Sequence, residues 1–237
     1  MRATTRLRTV AATTALVAAA ALATPAVAAA SVTPEGFATA QQNLEHQLSA
    51  RLDQLRQLSA DVTKATTLTT GDASTLAARL AAATTSMTTL AAQVPTDTTL
   101  AELRAARVTM IRDNRVYAVL TPQVFEVIEA DAVQSQVQTL QADEPALQSA
   151  VENLVGQVGY RAATARDQAF VVAVDRASAL ASRVSLTVLA QTPRDFPRDV
   201  SVFLHANRQL LNAEIALAHA SYNQSLVGLA SGGYTGS

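Results

Sequence analysis

The sequence predicts an all-α protein, an elongated antiparallel helical bundle or coiled coil of about four to six helices. Three observations predict it. Seven prolines and eight glycines fall mostly at the joints of a chain otherwise rich in Ala, Leu, Gln and Arg. Apolar residues recur in steps of three and four over long stretches, which places them on one face of a helix. The one β-branched run, Val116 to Leu120, has no turn signals upstream and no partner strand elsewhere, so it too reads as helix.

An export signal precedes the helices. Met1 to Val10 carries Arg2, Arg6 and Arg8 and no acid, and an apolar run follows from Val10 to Ala23. These are the charged and apolar regions of a secretory leader. Pro25 breaks the run, and small residues at Ala26-Val27-Ala28 or Ala28-Ala29-Ala30 offer cleavage after Ala28 or Ala30. The apolar run is shorter than the roughly 20 residues a membrane span needs, and it is mostly Ala and Thr. The expected organisation is a signal peptide over 1–28, a linker over 29–36, a helical bundle over 37–229 and a flexible tail over 230–237.

Loss of the leader removes three arginines and moves the formal charge from −1 to about −4. Basic residues elsewhere are interleaved with acids, so no phosphate-tracking stripe forms and nucleic acid is not an expected partner. The absence of cysteine excludes disulfides and a lipidated N-terminal Cys. The chain that remains after cleavage is long enough to bury roughly 70% of its unfolded surface without a covalent staple.

Element by element, Leu44, Leu48, Leu52, Leu55, Leu58 and Val62 mark a first helix from Phe37 to about Leu68. Thr69 or Thr70 with Gly71 and Asp72 supplies a turn and an N-cap. Leu76, Leu80, Ala83, Met87, Leu90 and Val94 then form a heptad seam. The short connection makes these two helices antiparallel neighbours. Pro95 ends the second, and Thr99 with Glu102 forms a capping box that opens a third.

That third face runs through Leu100, Leu103, Met110 and Ile111 into Val116–Leu120, with Pro122 read as a kink or as the first residue after a Thr121 cap. It continues through Phe125, Ile128, Val133, Val137 and Leu140. Asp143, Glu144 and Pro145 restart a helix whose seam is Leu147, Val151, Leu154, Val158, Ala162, Ala165, Ala169 and Val172. Running to about Leu189, it would be about 68 Å long. Gly156 and Gly159 weaken it locally and mark a close approach or a bend. Pro193 and Pro197 make the clearest joint. The last helix, near Val200 to Leu229, carries Val200, Phe203, Leu204, Leu210, Leu211, Leu217 and Leu226, with Asn207 and Glu214 interrupting its seam.

The strings Asp97-Thr98-Thr99-Leu100-Ala101-Glu102-Leu103-Arg104, Arg115-Val116-Tyr117-Ala118-Val119-Leu120-Thr121-Pro122 and Leu189-Ala190-Gln191-Thr192-Pro193, with Phe196-Pro197 beyond, support a family resemblance. Over roughly residues 60 to 229 the chain resembles a group of uncharacterised exported Ala/Thr-rich helical proteins of actinobacteria. The resemblance implies a helical fold and an exported location. It implies no activity. Relatives tend to carry basic residues near the positions held here by Gln123 and Phe125.

The candidate sites compete with ordinary helix chemistry. His46, His205 and His219 are far apart, and the last two sit about 21 Å apart on one helix. They read as structural or solvated, because zinc needs three or four convergent ligands. Arg112-Asp113-Asn114-Arg115 with Tyr117 is dense enough for an acidic ligand, yet it matches a solvated helix face. Glu126, Glu129 and Asp131 suggest a cation site or half of a carboxylate pair, but only the two glutamates share a face. No Gly-x-Ser-x-Gly elbow and no Ser-x-x-Lys occurs.

The expectation is therefore a secreted or cell-envelope protein that is not an enzyme, with no catalytic residues, cofactor or metal. Its role would be a spacer or an interaction module, meeting another protein or a cell-wall component through helix faces. A ligand-binding or membrane-active bundle is the alternative reading.

Overall fold

The computed structural model describes residues 33–232; the expected leader with its cleavage positions, and residues 233–237, lie outside the described residues. Helix accounts for 88% of what is described, with no strand among the described residues. Six α-helices follow one another: α1 Pro34–Lys64, α2 Thr70–Gln93, α3 Leu100–Val108, α4 Thr121–Glu152, α5 Tyr160–Leu189 and α6 Asp199–Gly232.

Local chemistry sets most boundaries. The Thr33 hydroxyl accepts from Gly36 N at 3.2 Å and the Thr69 hydroxyl from Asp72 N at 3.1 Å, each satisfying an orphan donor of a first turn. Thr99 and Glu102 close the capping box at the start of α3. Between α3 and α4 the chain makes two wide π-helical turns, Thr109–Asp113 and Val116–Leu120, joined through Arg115 in the left-handed region at φ 39°. The β-branched pentad is thus helical, though wider than an α-helix. Thr121 does not cap α4; its hydroxyl bonds back to the Val116 carbonyl at 3.0 Å.

Paired side chains give the register. Gln41 at the start of α1 reaches the Val94 carbonyl just past the end of α2, so these helices run antiparallel. Gln123 of α4 meets the Val188 carbonyl of α5 and Gln134 meets that of Ser178, again antiparallel. Arg166 of α5 meets Asn223 of α6, and Asp143 of α4 meets Gln224 of α6. α4, α5 and α6 pack together most extensively, and α1 packs on α2. The expected seam of α2 is buried in full, as are Leu44, Leu48, Leu55, Leu58 and Val62 of α1.

Several expectations change. Pro145 does not restart a helix: α4 passes through it. Its missing N–H removes one bond to the Gln141 carbonyl, and burial of Leu147 and Val151 holds the helix together across the gap. The break falls instead at 153–159, where Gly156 at φ 82° and Gly159 at φ 103° turn the chain into α5. No single helix spans Pro145 to Leu189.

That break shifts the seam by one residue. Ala163, Phe170, Val174, Ala177 and Ala181 are buried, whereas Ala162 and Ala165 are exposed, Ala169 is half-buried and Val158 is 86% exposed. Phe125 is half exposed while its neighbours Val124 and Val127 are buried. In α6 the inward residues are Phe203, Ala206, Leu210, Ala213, Leu217, Ala220 and Val227, with Val200, Leu204, Leu211, Asn207 and Glu214 facing outward.

The two backbone roles of glycine separate in a simple experiment. Gly159→Ala forces an L side chain to φ 103° and is expected to cost about 1–2 kcal/mol. Gly228→Ala lies inside α6 with nothing within 4 Å of the added carbon, and is expected to stabilise by roughly 0.5–1 kcal/mol. Urea unfolding of both variants checks the opposite signs, and equal signs contradict the assignment of the α4–α5 break.

Candidate functional site

Two polar arrangements and one apolar surface emerge from this packing. The first surrounds the C-terminus of α5, where the last carbonyls of a helix lack intrahelical partners. Gln123 is almost fully buried and donates from Nε2 to the Val188 carbonyl at 2.9 Å and the Gln191 carbonyl at 2.7 Å. Only the amide nitrogen can face two carbonyls, so Oε1 is the atom left without a partner. Arg79 of α2 donates to the carbonyls of Gln191, at 3.0 Å, and Leu189. A positive group at a helix C-terminus also complements the helix dipole. Arg115 completes the arrangement, donating to the Pro193 carbonyl at 3.1 Å with its guanidinium 4.0 Å from the Phe196 ring. A cleft of about 310 Å³ lies alongside, bordered by Arg79, Asp113, Gln123 and Thr192.

The dense stretch at 112–117 is therefore dispersed. Arg112 and Asp113 are exposed, whereas Asn114 is buried and donates to the Ser86 hydroxyl and the Thr109 carbonyl, both at 3.1 Å. Arg115 turns toward α5, and the Tyr117 ring lies 5.2 Å from the Arg51 guanidinium of α1. Its two arginines do not act on one ligand.

The carboxylates of α4 form the second arrangement. Burial pushes the Glu126 carboxyl up to about 8, with the negative Glu129 adding to the shift, and its Oε2 has no partner. Burial also raises Glu129, and Glu214 of α6 raises it further by charge and by hydrogen bonding. Asp131 faces the other way. Its Oδ2 accepts from Thr69 N at 2.7 Å; burial raises its pKa, this bond lowers it, and nearby Asp72 raises it again. The three acids expected as a group thus divide, and Glu214 joins the glutamates where sequence spacing had no means of placing it. Among the described residues no three His, Cys, Asp or Glu side chains form a group able to hold a metal ion.

His46, His205 and His219 are all exposed. His205 has a ring nitrogen 3.0 Å from Gln209 Nε2, one turn along the same helix.

The apolar surface lies on α6. Val200, Leu204, Leu211, Ile215, Tyr222 and Leu229 are exposed, Leu204 by 68% and Leu229 by 71%. At 100° per residue these positions fall within a band of about 60° on the helix circumference, running about 44 Å along the axis. Beside it a groove of about 270 Å³ separates α6 from α5, with Ile215 and Ala216 on one side, Val172 and Ala169 on the other and Arg176 at its edge. The signal was present in the heptad steps from Leu204 to Leu229. It was obscured because α6 carries a second apolar stripe, and a sequence apolar on two faces does not say which one faces the core.

The raised Glu126 pKa has a definite sign. A carboxyl that titrates higher in the folded than in the unfolded state gives full stability below its ordinary value of 4.5, and loses it as pH rises through about 8. With its partial exposure allowed for, the loss is of order 2 kcal/mol, or roughly 4–8 °C. Glu126→Gln is expected to leave the melting temperature at pH 5 nearly unchanged and to raise it at pH 9 by that amount. Thermal melts of both proteins across this range check it, and parallel curves contradict it.

No helix among the described residues is long and apolar enough to cross a membrane. Comparison with known proteins gives no match to a family model, to a curated protein or to a solved structure.

Proposed function

We propose that the protein is an exported, non-enzymatic helical module that binds another protein or a cell-wall component through the outer face of α6. The observation that carries this reading is the exposed apolar band from Val200 to Leu229. Large apolar side chains left in water along one line are unfavourable for an isolated chain, and contiguous patches of this kind mark interaction surfaces. Their spacing suits an approaching helix that inserts side chains between them. The groove beside Ile215 widens the surface toward α5. Export is supported by the basic and apolar leader ahead of Thr33 and by the resemblance to exported actinobacterial proteins.

Because the band makes no contribution to the core, replacing it is expected to spare folding. The triple variant Leu204→Gln, Leu211→Gln, Tyr222→Gln should melt within a few degrees of the parent, since exposed substitutions cost about 0.5 kcal/mol or less each. Immobilised parent protein should retain a component of its own cell-envelope fraction that the triple variant does not. Equal retention by both proteins, with the variant folded, would remove α6 as the binding face.

A further inference from the structure

A second surface, separate from α6, has a different chemistry. α1 and α3 enclose a cleft of about 360 Å³ whose lining includes Asn43, Leu44, Gln47, Leu103, Arg104 and Arg107. Residues four apart on α1 and three apart on α3 share a helix face, so the two carboxamides and the two guanidinium groups border the same space. Leu44 and Leu103 belong to the core and form its apolar wall. One turn beyond Gln47, Arg51 donates to the Gln47 carbonyl at 3.1 Å and stacks on Tyr117.

This cluster is uncompensated. The one ion pair among the described residues joins Arg56 to Asp53, so no carboxylate there lies within 4 Å of Arg51, Arg104 or Arg107. Glu102, the acid nearest in sequence on α3, is committed to the backbone and hydroxyls of Thr98 and Thr99. Burial depresses the Arg51 pKa, Tyr117 acts in the opposite direction, and the positive charge of Arg107 depresses it again. Arg104 and Arg107 are exposed at the rim of the cleft and have no carboxylate partner within 4 Å, so an oxyanion set between them gains charge-assisted hydrogen bonds without displacing an acid. Net negative charge on the whole chain does not oppose this, since the field inside a cleft is set by the groups that line it.

We propose that the α1–α3 cleft binds an anionic amphiphile, a carboxylate or phosphate carried on an aliphatic chain. Arg104 and Arg107 hold the oxyanion, Asn43 and Gln47 donate from their amides, and the chain lies against Leu44 and Leu103. The site is independent of the α6 face, and either reading stands without the other.

Isothermal titration calorimetry of the purified chain tests it with decanoate and decyl phosphate as probes. One saturable site per chain is expected for both, weakened at least tenfold in Arg104→Gln/Arg107→Gln and unchanged in Arg56→Gln, whose arginine is exposed elsewhere on α1. Circular dichroism verifies that the double variant is folded. The single variant Arg107→Gln, with a smaller loss expected, carries the same test should the double variant be misfolded. Four results overturn the proposal: unaltered affinity in the folded variants, equal binding of decyltrimethylammonium, inorganic phosphate binding as tightly as decyl phosphate, or binding only to phosphatidylglycerol vesicles with none to the soluble probes. The last would assign the charge to a membrane surface in place of a cleft.

Discussion

The carbonyl groups that end α5 are the point on which the arrangement of the helices depends. A helix terminus buried against neighbours must have its free acceptors satisfied from outside. Here the donors come from two other helices, Arg79 of α2 and Gln123 of α4, and Arg115 meets the Pro193 carbonyl just beyond. Each bond fixes a distance between helices that apolar packing alone would let slide, because apolar contacts are non-directional. The segments 115–122 and 189–197, which carry much of the sequence resemblance, meet at this place. Arg115 of the first segment donates to the Pro193 carbonyl of the second, and Val116, Val119 and Leu120 are buried in the core.

Close packing of α5 on α6 follows from small residues. Ala177 and Ala181 of α5, and Ala206, Ala213, Ala216 and Ala220 of α6, are all buried. Alanine at an interface lets helix axes approach and gains stability from many short dispersion contacts. The consequence for function is geometric. The inner face of α6 mixes these alanines with Phe203, Leu210, Leu217 and Val227, while a second apolar line, Leu204, Leu211, Ile215, Tyr222 and Leu229, is left to solvent.

Charge is distributed unevenly in a related way. Glu126, Glu129 and Glu214 crowd together between α4 and α6, while Arg51, Arg104 and Arg107 gather about α1 and α3. Glu126 and Glu129 lose their charge more readily, because protonation is open to them and burial favours it. Arginine keeps its charge at accessible pH, and Arg104 and Arg107 hold theirs at the exposed rim of the cleft without a carboxylate partner. That difference separates a cluster whose charge changes with pH from one whose charge does not.

Helical class, the N-cap at Thr99, a cap at Thr69 or Thr70 that the structure places at Thr69, the seam of α2 and the Thr192–Pro197 joint were all legible from the sequence. Each rests on interactions within a few residues, which spacing and residue type specify directly. The α4–α5 break was less so. Pro145 carries the stronger intrinsic signal against helix, yet tertiary burial of Leu147 and Val151 carries α4 through it, and the glycines at 156 and 159 take the turn. Once the break was misplaced, the seam from Val158 to Val172 fell one residue out of phase, since a helical face is defined only relative to its start. Which face of α6 meets the core, which acid joins Glu129 and which arginines share a cleft were decided by tertiary structure alone. These depend on residues of different helices brought side by side, and no local period encodes that juxtaposition.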